Sequence, residues 1–253
     1  MAAPTAAGMP RSSTEPGSAG AVIRIPSLTG QSGLVHGFST LALGDMRAPT
    51  LDGRALTPAR QAFAEALGLE PGRLVAAGAV HGVDVVRVDE PVGVLRGFDA
   101  LVTDRPGLAL FATFADCYPV VLYDRARSAL ALAHAGWRGS AAGVAVRAVE
   151  ALRREYGTRP EDLVAGLGPG ICGGCYEVRD AVASLFKTIH ARPVEDGRFM
   201  LDLAAVNVDQ LLAAGVPRER VHVHGACTRE CPQLPSHRRS PDGVRFACIA
   251  AIR

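Results

Sequence analysis

Runs of Val, Leu, Ile and Phe bounded by Gly, Pro or Asp recur along the chain, and each predicts a β-strand. They fall at 21–25, 34–39, 73–80, 83–88, 99–103, 108–115, 118–123, 129–134, 163–167, 220–224 and 244–252. Four stretches repeat their apolar residues at helical spacing instead, at 57–67, 141–156, 177–190 and 202–214. Thr57-Pro58 supplies an N-cap followed by a first-turn proline. Ser140 is placed to cap the helix that carries Val144, Ala148, Val149 and Leu152, and Gly157 ends it. Gly215-Val216-Pro217 ends the last helix in the same way. Strands and helices mixed in this manner predict a mixed α/β fold. No internal repeat or long linker divides the pattern, so residues 21–253 are read as one domain. Residues 1–20, MAAPTAAGMPRSSTEPGSAG, hold small residues and prolines with no amphipathic stripe. They predict a disordered tail rather than a transit peptide.

Composition narrows the function classes. Of the 253 residues 48% are apolar and 21% charged, which excludes a disordered or fibrous chain. The net charge of +2, from 27 basic and 25 acidic residues, carries no bulk signal for nucleic acid or a membrane surface. No apolar run reaches the length of a membrane span. Six cysteines without a secretory leader read as thiols in a reducing compartment, so a cytoplasmic location is expected.

The richest stretch is 115–140, which reads as strand, polar turn, strand. A four-residue loop at 124–127 places Tyr123 opposite Ser128, and hence Cys117 opposite His134. A thiol and an imidazole then meet on one face at the open end of a hairpin. Two chemistries use that pair: a thiolate–imidazole nucleophile, or two ligands of a zinc ion. A half-buried core pair is the third reading. Gly136-Trp137-Arg138-Gly139-Ser140 then leads into the predicted helix start, where free N–H groups and Arg138 suit an anion; Trp137 is read as packing. His81, between two predicted strands, would complete a Cys-His-His set with one coordination position open. Spacing alone does not select His81 over His36 or His224.

These residues carry a resemblance. His36-Gly37-Phe38-Ser39-Thr40, Val80-His81-Gly82, Leu101-Val102-Thr103-Asp104, Ala115-Asp116-Cys117, His134 through Gly139, Gly168-Pro169, Cys175-Tyr176-Glu177-Val178 and Cys227-Thr228 occur in this order. From about residue 22 onward the chain resembles the YfiH-like family, also called polyphenol oxidase or laccase-domain proteins. The resemblance implies a four-layer α/β/β/α sandwich. It implies Zn²⁺ held by His81, Cys117 and His134, which are also the catalytic residues, with Cu²⁺ as a second metal such a site accepts. It implies a purine nucleoside phosphorylase that cleaves adenosine, inosine or methylthioadenosine with phosphate to free base and ribose 1-phosphate, and that also deaminates adenosine. The partners are then a small-molecule nucleoside and phosphate, with neither nucleic acid nor membrane. His36, Ser39, Asp116, Arg138 and Arg238 are the substrate-binding candidates. The chain departs from the family at Leu41, where an arginine is usual, at Ala79, where a glutamine is usual, and at Pro235-Ser236-His237-Arg238-Arg239, usually richer in aromatics. Arg47, in a shortened loop, is the candidate replacement for the missing arginine.

Other readings keep other chemistry. A copper-dependent polyphenol oxidase needs many paired histidines, and the seven here include one His-x-His pair, His222/His224. A metal-free Cys117/His134 hydrolase or amidase acting on peptidoglycan precursors uses the same pair as nucleophile and base. Cys172-x-x-Cys175 with Cys227-x-x-x-Cys231 has the spacing of a structural Cys₄ zinc site. A non-catalytic metal-binding module would retain a ligand set without turnover.

Overall fold

The structure is a computed structural model and describes residues 20–47 and 56–253. The tail expected at 1–20 lies, apart from Gly20, outside the described residues. Among the described residues the chain is a mixed α/β fold built on two six-stranded sheets and a three-stranded one. The first sheet runs, edge to edge, β1 (Val22–Ile23), β2 (Leu34–Ser39), β15 (Phe246–Ile252), β7 (Ala109–Phe114), β3 (Leu74–Gly78) and β5 (Gly93–Arg96). The second runs β14 (Val221–Val223), β10 (Leu163–Leu167), β8 (Tyr118–Asp124), β9 (Ala129–Ala135), β6 (Ala100–Thr103) and β4 (Val85–Arg87). The third joins β11 (Glu177–Arg179), β13 (Arg198–Leu201) and β12 (Ala191–Pro193). The helices are α1 (Pro26–Thr29), α2 (Pro58–Ala66), α3 (Trp137–Ala142), α4 (Val144–Tyr156), α5 (Asp180–Ala183) and α6 (Leu203–Ala213). Among the described residues, none of them is long and apolar enough to cross a membrane.

Three apolar clusters hold these elements together. One lies between the two large sheets and draws on Phe38, Leu110 and Phe246 from the first and Val121, Leu130 and Leu132 from the second. Another packs the opposite face of the second sheet against α4 and α6. The last packs α2, through Phe63 and Ala64, on the outer face of the first sheet. The central hairpin β8–β9 is buried at every position, as expected of strands covered on both faces. The two faces of β9 differ in size. Ala129, Ala131, Ala133 and Ala135 face α4, whereas Leu130 and Leu132 face the other sheet. The alanines let α4 approach closely through Val144, Ala148, Val149 and Leu152, the positions its 3.6-residue spacing brings to one side.

Most predicted elements stand within one or two residues of the expected bounds, and the departures have identifiable reasons. The hairpin register is shifted by two residues: Tyr123 pairs with Leu130, and Pro119 rather than Cys117 pairs with His134. The turn begins one residue later because the buried Asp124 accepts hydrogen bonds from Ala126 N–H and Arg127 N–H (2.9 and 3.1 Å), which extends β8 through Asp124 itself. A two-residue shift leaves every side chain on its expected face. The helix expected at 177–190 is instead β11, the single turn α5 and a loop into β12. Its first three residues, Glu177–Arg179, pair with β13, which follows β12 across a turn with positive φ at Asp196 and Gly197 (52° and 66°), an Asp-Gly hairpin signal that lies beyond the expected helix. The helix expected at 141–156 starts earlier and is broken in two at Gly143, whose φ is 84°. Ser140 is therefore no cap; it is buried inside α3, and its hydroxyl accepts a hydrogen bond from Asn207 (2.9 Å). The parallel edge strand β5 is too short and too exposed to announce itself by pattern.

Gly143 stands in open space, the nearest atom to an added Cβ being 3.9 Å away. A substitution there tests conformation alone. Gly143→Ala is expected to destabilise the protein by roughly 1–2 kcal/mol in urea unfolding, because only the left-handed backbone is penalised. Gly143→Asn, which tolerates that backbone, is expected to cost less. An unchanged midpoint for Gly143→Ala would show that the chain can run α3 into α4 without the break.

Candidate functional site

The site is assembled around one carboxylate. Asp99, fully buried at the start of β6, faces the loop that follows β3. Three consecutive N–H groups of that loop, from Val80, His81 and Gly82, donate to the two Asp99 oxygens at 3.1, 2.9 and 2.7 Å. The loop is wrapped tightly enough to hold His81 at φ 63°, a region non-glycine residues seldom occupy. Asp99 also bonds Nδ1 of His134 at 3.1 Å, while its carbonyl accepts the His134 N–H at 2.7 Å. Burial acts to raise the Asp99 pKa, but these hydrogen bonds and the neighbouring imidazole hold it below the usual carboxylate value. The Nδ1–Asp99 bond fixes the His134 ring and leaves Nε2 free to face the cleft.

Cys117 joins this pair from the other strand. It precedes β8 and follows Asp116, which sits at φ 84° and so breaks the strand alternation. One ligand atom each from His81, Cys117 and His134 lies within 4.8 Å of the other two. The opposite chain comes close enough that only glycine fits there: a Cβ on Gly136 would stand 2.8 Å from the Cys117 sulfur and 3.1 Å from the His81 ring. Burial pushes the Cys117 thiol up, but the charge and hydrogen bonds of His134 and His81 outweigh it and pull the pKa down. His134 is shifted up: burial opposes its charge, while the Cys117 thiolate and Asp99 favour it. In the metal-free chain the two groups thus stabilise each other as an ion pair. The donor set suits a divalent metal. It offers one thiolate and two imidazoles, one of them oriented by a buried carboxylate, around a point that no backbone Cβ occupies.

These three side chains open into a cleft of about 600 Å³. Its other walls bring in Asp116, Trp137, Arg138, Tyr176, Arg238 and Arg245. The Arg138 guanidinium lies 4.2 Å from the centre of the Trp137 ring, and that of Arg238 lies 4.8 Å from Tyr176. Three guanidinium groups beside a potential metal site suit an anionic or phosphate-bearing ligand. The Asp116 carboxylate accepts from Thr228 Oγ1 and from the Arg238 N–H, both at 2.7 Å, so it fixes the loop that presents Arg238.

The structure brings together His81, Cys117, His134, Asp116, Arg138 and Arg238 among the expected residues. It does not bring His36 or Ser39, which lie on β2 outside the cleft. His36 Nε2 accepts the Ile25 N–H at 2.9 Å, and burial with the charges of Arg24 and His224 lowers its pKa to about 4. Ser39 Oγ accepts the Ala247 N–H at 2.9 Å. Arg47 is held by Asp45 at 2.6 Å and does not line the cleft; Arg245 does. Arg239 is spent on backbone, donating to four carbonyl groups between Thr228 and Leu234. His222 and His224 belong to neither group of potential metal ligands found among the described residues. In the second such group Glu230, rather than the expected Cys231, stands beside Cys172, Cys175 and Cys227. Cys231 packs against the inter-sheet core. Sequence reasoning missed Asp99 and Arg245. Both had a local signal: a charged residue set directly against an otherwise apolar strand.

Three comparisons bear on this arrangement. A family model described as "Multi-copper polyphenol oxidoreductase laccase" matches residues 34–252. A purine nucleoside phosphorylase of Deinococcus radiodurans is 37% identical over 86% of this chain and 87% of its own. A protein named adenosine deaminase RL5, from an unknown prokaryotic organism, is 34% identical over 70% of this chain and 74% of its own. The crystal structure of YlmD from Geobacillus stearothermophilus superposes with a TM-score of 0.82 at 29% identity, covering 94% of this chain and 98% of that one.

Two outcomes follow from the geometry. Asp99→Asn is expected to weaken metal binding about 10–100-fold in competition with a chromophoric chelator, because it loosens both the His134 ring and the His81 loop. Unchanged affinity would remove Asp99 from the site. In metal-stripped protein, iodoacetamide should alkylate Cys117 with a midpoint well below the value of about 8.5 for a free cysteine. His134→Gln is expected to return it upward, since the thiolate loses its positive neighbour. A midpoint at the free-cysteine value would refute the ion pair.

Proposed function

The chain belongs to the YfiH-like family, whose model is described as a multi-copper polyphenol oxidoreductase laccase, and we propose that within it this protein is a metal-dependent purine nucleoside phosphorylase. The observation that carries the reading is a single cleft in which a three-ligand set opens beside three guanidinium groups. Three guanidinium groups in the cleft suit a phosphate co-substrate, which a phenol oxidase does not bind. The substrate class comes from the relatives' names, and the cleft is large enough for a nucleoside with phosphate.

His81, Cys117 and His134 would hold the ion, with Zn²⁺ best matched to a thiolate and two imidazoles. When bound, it supplies Lewis acidity with one coordination position left open. The chain's own groups do the rest. Arg138, Arg238 and Arg245 bind phosphate and neutralise part of its charge as one oxygen approaches C1′ of the ribose. The C1′–N9 bond breaks, its electron pair leaves with the purine, which takes up the proton given up by hydrogen phosphate to become free base, and the new C1′–O bond gives ribose 1-phosphate. The Trp137 and Tyr176 rings, each already stacked with a guanidinium, line the cleft and shield the reacting groups from water. Asp116 acts through Arg238, whose loop it positions. Adenosine deamination is a second activity of the same cleft: water adds at C6 of the purine, the C6–N6 bond breaks, and ammonia leaves to give inosine.

One observation favours a different enzyme: Cys117, His134 and Asp99 form a thiol–imidazole–carboxylate chain like that of cysteine hydrolases. The ligand role of Cys117 separates the two, because a metal-bound thiolate resists alkylation. The test incubates adenosine, inosine or methylthioadenosine with phosphate and separates the products. Free base and ribose 1-phosphate are expected from the wild type and not from Cys117→Ala. Arg245→Ala is expected to raise the KM for phosphate about tenfold, the loss of one charge-assisted contact. No phosphorolysis of any of the three, from protein that carries its metal, would refute the reading. A metal-free native protein with rapidly alkylated Cys117 would establish the hydrolase instead.

A further inference from the structure

Cys172-Gly-Gly-Cys175 and Cys227-Thr-Arg-Glu230 are distant in sequence and adjacent in space. One ligand atom from each of the four residues lies within 4.8 Å of the others. The two segments share a spacing, since each offers its ligands three residues apart. Each is also a tight turn: the Cys175 N–H donates to the Cys172 carbonyl at 2.9 Å, and the Cys231 N–H donates to the Cys227 carbonyl at 2.8 Å. A parallel bridge between Gly170 and Cys227 ties the segments together. The Cys172 N–H points at the Cys227 sulfur at 3.4 Å, the kind of contact that supports a thiolate. The Cys175 thiol lies 3.4 Å from a Glu230 oxygen.

We propose that this cluster is a second metal site, a closed structural Zn²⁺ centre with Cys172, Cys175, Cys227 and Glu230 as its four ligands. A tetrahedral ion with zinc–sulfur bonds of about 2.3 Å needs ligand atoms about 3.8 Å apart, so a small contraction of the cluster suffices. Three thiolates select a soft or borderline ion over Mg²⁺ or Ca²⁺. The four ligand charges are offset by the ion together with two nearby guanidinium groups. Arg229 donates to the Cys175 carbonyl at 3.2 Å, and Arg239 donates to the Thr228 and Arg229 carbonyls. Four protein ligands leave no open position, which separates this site from the three-ligand set of the cleft.

The position gives the ion a task. Cys175 is followed by Tyr176, a wall of the cleft. Cys227 is followed by Thr228, whose hydroxyl donates to Asp116, the residue before Cys117. The loop carrying Arg238 is anchored to the same segment through Arg239. The second ion therefore clamps the two loops that form one side of the cleft. Neither loop has regular structure there to hold it in place.

The test uses the full chain carrying Cys117→Ala, which removes the first site and makes the result independent of turnover. Purified under reducing conditions and treated with a weak chelator, it is expected to retain about one zinc per chain. Exchange for Co²⁺ is expected to give tetrahedral d–d bands with intense thiolate charge transfer. Adding Cys172→Ser should abolish both. Adding Glu230→Gln, at an exposed position, should keep the fold and weaken cobalt binding about tenfold. Hydrogen exchange in residues 170–176 and 226–240 should rise when the ion is removed. The proposal is overturned if Cys117→Ala holds no metal. It is equally overturned if metal binding is unaffected by both added substitutions, or if the anaerobically purified chain carries a Cys172–Cys175 disulfide instead.

Discussion

A buried charge has to be compensated where it stands, and the Asp99 carboxylate is compensated by the site itself. Three N–H groups of the His81 loop and the imidazole of His134 are its partners. These contacts hold the loop where His81 takes a left-handed conformation and fix which His134 nitrogen faces outward. Remove the carboxylate, and two of the three cleft ligands lose their orientation together. The third, Cys117, is placed by the hairpin and by the absence of a side chain at Gly136. The site is thus preorganised by one electrostatic demand and one steric allowance, both set by the protein.

Much of this was legible in the residues. The strands β2 and β10 have the bounds their apolar runs predict, and α2 has the predicted cap, with Thr57 accepting the Arg60 N–H at 3.2 Å. The convergence of Cys117 and His134 followed from side-chain alternation and survived a wrong register, because an even slip preserves faces. What failed needed partners far away in sequence. The segment 177–190 has helical spacing, but its start, Glu177–Arg179, is drawn into a sheet by β13. Asp99 and Arg245 look like ordinary charged strand ends until the loops they meet are in place. His36 and Ser39 sit in a family motif, yet their polar atoms serve backbone groups of neighbouring segments.

The two ligand clusters differ in a way that suits different duties. The cleft set has three donors, a strained loop and an orienting carboxylate, all devoted to leaving one direction open. The cysteine-rich set has four donors on two turns and no remaining direction. Between them lies the short path Cys227–Thr228–Asp116–Cys117, two covalent links joined by one hydrogen bond of 2.7 Å.

The hairpin at the centre has no polar face, so hydropathy cannot tell its two sides apart. On β9 what distinguishes them is volume: methyl groups toward α4, isobutyl groups toward the opposite sheet. That alternation works as a steric code. Exchanging Ala129 with Leu130 and Ala131 with Leu132 would leave the composition and mean hydropathy of β9 untouched while inverting the message. The large side would then seek the space between the sheets with His134 turned toward the helix. Substitution matrices that score only polarity would see nothing in such an exchange, although it would move the imidazole out of the cleft altogether.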